Sequence, residues 1–101
     1  MDYTTKFAPE AEAQLLALRR YIAAEAGLNT ARRFTDGIVD HCMSLEVFPH
    51  RGAPRDDLRA GLRTISLRGR VTIAYAVTGE VVTILAIAYA GQDVGALVQD
   101  P

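Results

Sequence analysis

Arginines are the residues of this chain best suited to recognition or catalysis. Arg51, Arg55, Arg59, Arg63, Arg68 and Arg70 fall within twenty positions, opposed there only by Asp56 and Asp57. Guanidinium groups pair with carboxylates and phosphates, and they can stabilise the charge that develops on a phosphorane. A metal-free ribonuclease needs such cations together with a positioned acid or base, commonly Lys, Tyr or His. Arg63, Arg68 and Arg70 could supply the cations; read singly, they are also ordinary solubilising charges at strand ends and turns. The other chemical constellations are weaker. Cys42 lies beside the apolar stripe of a predicted helix, away from any helix N-terminus that would lower its pKa, and reads as a buried structural cysteine. His41 reads as a helix-face histidine satisfied by a neighbour, and the adjacent Asp56 and Asp57 as solvated partners of the loop arginines. No nucleophile–base–orienter arrangement, phosphate loop, H-E-x-x-H helix or Cys/His zinc spacing is present, so no catalytic residue, metal or cofactor is expected.

Elements must hold those arginines in place, and their pattern is readable. Tyr3 to Phe7 suits a short strand, and Pro9 suits the first turn of a helix. Ala11, Leu15, Leu18 and Ile22 form one helical stripe that Gly27 can end. Asn29 is the expected N-cap of a second helix with the stripe Ala31, Phe34, Ile38, Cys42 or His41, and Leu45, stopped by Pro49. The short connection makes an antiparallel hairpin, and Gly37 inside the second helix predicts close contact with the first. His50 to Gly61, with its prolines, glycines and charges, reads as a long loop without regular structure. The period then changes to two. Leu62 to Leu67, Val71 to Val77 and Val81 to Tyr89 are strands joined by turns at Arg68-Gly69-Arg70 and Thr78-Gly79-Glu80. The tail from Gln92 to Pro101 is either a short helix or a frayed end. The expected fold is α+β in two layers: an N-terminal strand, then a helical hairpin packed on an antiparallel sheet, in the order β-α-α-β-β-β.

Length and composition agree with this. The 101 residues suit a single domain over 1–101, half of them are hydrophobic, and one cysteine cannot form an internal disulfide. A cytoplasmic protein is expected, because the N-terminus lacks an apolar run behind a basic start and the apolar stretch Val81 to Ala90 is too short to span a bilayer. The net charge of −1 disfavours non-specific nucleic-acid binding, and no direct sequence-specific DNA binding is expected.

Several short strings follow one another in a set order almost throughout the chain. The first helix matches A-x-x-x-L across Ala11 to Ala23, with Leu15, Leu18, Tyr21 and Ile22; Ala31 and Phe34 follow in the second helix. Pro49-His50-Arg51-Gly52 looks like P-x-x-G, Gly61-Leu62-Arg63 like G-[LY]-R, and Ile73-Ala74-Tyr75 like I-x-Y. The segment Tyr89 to Leu97 resembles H-x-x-R-D-x-x-x-L, with Tyr89 in place of His and Gln92 in place of Arg. Taken together, these strings resemble the ParE/RelE toxin superfamily of type II toxin–antitoxin systems, most closely its ParE-like branch. The resemblance implies a toxin that inhibits DNA gyrase without catalysis. It also implies a complex with a ParD-like antitoxin, in which an amphipathic C-terminal segment follows a ribbon-helix-helix domain. Arg63, Arg68, Arg70, Gln92, Asp93 and Leu97 are the implied target-binding candidates, and Leu15, Leu18, Tyr75 and Tyr89 the antitoxin-binding ones. RelE-like relatives cleave mRNA on the ribosome with an arginine after the last strand and a late tyrosine or histidine; Gln92 and Val98 stand there in this chain. An mRNA endonuclease is the alternative activity, and an inactive antitoxin-binding relative a further one.

Overall fold

The computed structural model describes residues 2–98, so Met1 and the last part of the expected tail, 99–101, lie outside it. Strand β1 (Thr4–Phe7) leads through Ala8 into helix α1 (Pro9–Ala26), with Pro9 in its first turn beside Glu10 and Glu12, charges that suit the positive end of the helix. Gly27 closes α1 by donating its N–H to the Ala23 carbonyl at 2.9 Å. Its φ of 95° lies where a side chain is strained, which is why glycine ends one helix and opens the next. Helix α2 (Leu28–Met43) begins immediately, without a side-chain cap. The expected N-cap Asn29 is therefore inside the helix: a one-residue link leaves no room for a separate cap.

One turn of 3-10 helix (Ser44–Glu46) follows, then β2 (Ala53–Pro54), β3 (Leu62–Leu67), β4 (Val71–Thr78), β5 (Val81–Tyr89) and the short helix α3 (Val94–Leu97). The sheet order is β1-β5-β4-β3-β2. The three long strands pair antiparallel as the turn signals predict, while β1 pairs parallel with β5, Phe7 opposite Ile84. The two-residue β2, paired with Thr64 and Arg63 of β3, replaces part of what the sequence suggests is unstructured loop. The Glu46 carboxylate accepts the Thr5 N–H at 2.7 Å and so covers the outer edge of β1.

The helices cover one face of the sheet. Ala11, Leu18 and Ile22 of α1 and Ala31, Ile38 and Cys42 of α2 pack on Val71, Ile73 and Tyr75 of β4 and Val82, Ile84 and Ile87 of β5. Thr35 completes the α2 stripe; its buried hydroxyl donates to the Ala31 carbonyl at 3.0 Å and accepts from Arg19 Nε at 3.2 Å, so the group is satisfied. Gly37 does not serve close packing, since a Cβ there would meet nothing within 4 Å.

A bulge lets β5 serve both faces. Ala74 pairs with Ala86 and Tyr75 with Ile84, which leaves Leu85 without a partner and reverses the inward alternation. On the reverse face Leu62, Ala74 and Ala86 are buried beneath Val98, with Leu58, Leu85, Val94 and Leu97 around them. The tail therefore takes the helical option and folds onto the sheet. Among the described residues, no helix is long and apolar enough to cross a membrane.

Candidate functional site

The arginine run does not form one surface. Arg63 faces the helix side of the sheet opposite Tyr75, and its Nη1 donates to the carbonyls of His50 at 2.9 Å and Gly52 at 2.8 Å. Tyr75, 0% exposed, accepts the Gly52 N–H on its hydroxyl at 2.8 Å. A Cβ on Gly52 would lie 2.5 Å from that oxygen, so only glycine allows the approach. Arg63 and Tyr75 thus clamp the 50–52 loop, and Tyr75 has no surface to offer a partner; burial also raises its pKa. Arg51 is held by the Ser44 hydroxyl, which in turn donates to the His41 carbonyl at 2.6 Å. Desolvation first, and then Arg51, lowers the His41 pKa. Arg55 pairs with Asp57 at 3.0 Å in solvent, lowering that carboxyl, while Asp56 accepts the Gly61 N–H at 2.9 Å. Burial pushes the Cys42 thiol up to about 12, which makes it inert as a nucleophile near neutral pH.

Arg68 and Arg70 stand apart from these, at the β3–β4 turn. Arg68 is five residues from Arg63, roughly 16 Å along a strand. At this end of the molecule the phenolic ring of Tyr89 meets Phe34 edge-on, centroids 5.8 Å apart, and Tyr21 at 6.3 Å. Two concavities flank the aromatic group. One is a cleft of about 400 Å³ between α1 and β5, walled by Leu18, Tyr21, Ile87 and Tyr89. The other, of about 440 Å³, is lined by Thr30, Arg33, Phe34 and Arg68.

The cleft exposes a strand edge. The pairing of β1 stops at Ile84, so among the described residues the outer side of β5 beyond it has no neighbouring strand. Two side-chain amides take the place of one: Gln14 Oε1 accepts the Ile87 N–H at 2.7 Å, and Gln92 Oε1 the Tyr89 N–H at 2.8 Å. Ala90, at φ 56°, turns the chain so that Gln92 can reach back. Open edges of this kind are templates for another chain.

Of the expected residues, Leu18, Tyr89 and Gln92 meet in this cleft. Leu15 lies in another groove, of about 310 Å³, with Phe7, Leu16 and Val39. Asp93 caps α3 by accepting the Gly95 N–H at 2.9 Å, and Leu97 packs on the reverse face. Gln14 and Tyr21 are not recognisable as site residues from the sequence reading. The available signal is Gln14 itself, a polar residue on the α1 stripe between Ala11 and Leu18.

The family model described as "ParE toxin of type II toxin-antitoxin system, parDE" matches residues 5–94. This chain belongs to the ParE toxin family. Among solved structures, a chain of the chromosomal ParDE toxin–antitoxin system from P. aeruginosa is similar, at 25% identity and TM-score 0.77 over 87% of this chain and 96% of that one. A chain of the toxin–antitoxin complex RelBE2 from Mycobacterium tuberculosis shares the fold, at 22% identity and TM-score 0.67 over 88% of this chain and 99% of that one. No curated protein sequence matches. As a ParE-family toxin, the protein has its open edge and cleft on the half of β5 that β1 leaves bare, while Arg63 is committed to the loop.

Proposed function

We propose that this toxin acts by non-catalytic inhibition of DNA gyrase, and that an antitoxin neutralises it by laying a segment along the open edge of β5. The observation that carries the first part is what occupies the two positions where RelE-like nucleases resemble this chain. Gln92 has its amide oxygen engaged by the Tyr89 N–H, and Val98, 3% exposed, is packed beneath the sheet. Neither carries a cation for a phosphorane or a group suited to proton transfer, and removing even a single hydrogen-bond donor to such a developing charge costs about 2.7–4 kcal/mol. Arg63, the strand cation, is taken up by two carbonyls.

The open edge and the cleft beside it support the second part. An added strand gains main-chain hydrogen bonds from the edge and specificity from side-chain pockets, here walled by Leu18, Tyr21 and Ile87. Arg70 and the exposed face of Arg68 remain candidates for the target.

Supercoiling by purified gyrase in the presence of the toxin is the test. Inhibition relieved by the antitoxin is expected. Normal supercoiling, together with codon-positioned mRNA cuts by primer extension that vanish in Arg63→Ala, establishes the nuclease reading instead.

A further inference from the structure

We infer that the pocket formed by Thr30, Arg33 and Arg68 receives carboxylate side chains of the antitoxin segment whose apolar part fills the neighbouring cleft. This deepens the antitoxin reading and rests on it. The pocket, of about 440 Å³, is lined by two arginines, a threonine and Phe34, with no acidic residue in its lining among the described residues. Among the described residues, neither Arg33 nor Arg68 has a carboxylate partner, unlike Arg55 with Asp57. The first turn of α2, which contains Thr30, carries no acidic side chain either. Among the described residues, no carboxylate pairs with the two arginines of this corner.

Continuity identifies the ligand. Phe34 forms one wall of the pocket, and its ring meets Tyr89, which walls the cleft. A segment running along β5 from Leu85 toward Tyr89 leaves the apolar cleft beside this aromatic pair and arrives at the arginines. A peptide with apolar residues followed by Asp or Glu satisfies both compartments. A nucleic acid does not: its backbone has nothing to place along a strand edge walled by Leu18 and Ile87, and the net charge of −1 opposes it.

Arg68 also offers a clean test. Its φ of 55° is one that arginine adopts at a cost and asparagine tolerates better, so Arg68→Asn removes the charge without endangering the fold. The experiment measures the affinity of the toxin for the antitoxin that the proposed function implies, between about 0.05 and 0.5 M NaCl. It compares wild type, Arg33→Gln, Arg68→Asn, the double variant and Arg55→Gln as a control at the other end of the basic run. The double variant is expected to bind roughly tenfold more weakly at low salt, with a flattened salt dependence and an unchanged or higher thermal midpoint, while Arg55→Gln behaves as wild type. An unaltered salt dependence in the double variant overturns the inference and leaves the antitoxin reading standing. Failure of the wild type to bind the antitoxin at any salt removes both. Binding of a single-stranded RNA 20-mer that the double variant loses, with antitoxin affinity unchanged, makes the pocket a phosphate site and overturns the carboxylate assignment.

Discussion

The two faces of the sheet are covered in different ways. On one, two helices of 18 and 16 residues bury Ile38, Ile73, Tyr75 and Ile84 completely. On the other, a four-residue helix and Leu58 shelter small side chains, Ala74 and Ala86, under Val98. Apolar area sets the stabilisation, at roughly 25 cal/mol per Å², so the first face should hold the fold and the second should refine it. The difference also shows why a tail that resembles a functional motif can be structural: its apolar residues, with Leu58, cover this part of the reverse face.

The comparison breaks if the faces prove equal. Ile73→Ala, on the helix side, should cost about 2–5 kcal/mol of unfolding free energy by urea titration, because a fully buried branched side chain leaves a cavity that the two helices cannot close. Truncation after Gly91 should cost less, about 2–4 kcal/mol, and leave a folded protein by circular dichroism. A truncated chain that is unfolded would place the reverse face on a par with the helix side, whereas an undiminished midpoint would show that the tail covers nothing. Tyr75→Phe sharpens the contrast by keeping the ring and deleting one hydrogen bond: a loss of about 1–3 kcal/mol is expected from the orphaned Gly52 N–H, with faster amide exchange at that residue. The smallest effect concerns His41. Its folded pKa is lowered from 6.5, so below that value the unfolded chain binds the proton more readily and stability falls as the pH drops from 6.5 toward the folded pKa. His41→Gln should abolish this acid-side decline in the thermal midpoint and change nothing above neutrality.

Much of this architecture is written in local patterns. The stripe Ala11, Leu18, Ile22 and the alternation Val71, Ile73, Tyr75 report which face is buried, because helix and strand periods translate directly into sides. Three features escape such reading. The bulge at Leu85 converts Ile84 and Ile87, three apart, into neighbours on one face, and it depends on pairing with β4 rather than on any turn residue. The parallel union of β1 with β5 joins residues nearly eighty positions apart, which no local signal encodes. The members of the basic run are close in sequence, yet β3 carries Arg63 to the loop and Arg68 to the opposite end. For the site, Leu18, Tyr89 and Gln92 were legible from family strings. Gln14 was not, because its role exists only where β1 runs out.

Gln14 and Gln92 bear on speed as well as on architecture. A strand arriving at β5 would displace two flexible amide side chains, which regain water, so the number of hydrogen bonds made by the Ile87 and Tyr89 N–H groups is conserved through the exchange. Gln92 is exposed, and exposed side chains reorient in picoseconds to nanoseconds; Gln14 is half-buried, and its side chain alone must leave the Ile87 N–H. No backbone rearrangement of the acceptor then stands between encounter and docking, and capture of the toxin would proceed at the rate at which its partner can find and orient on it.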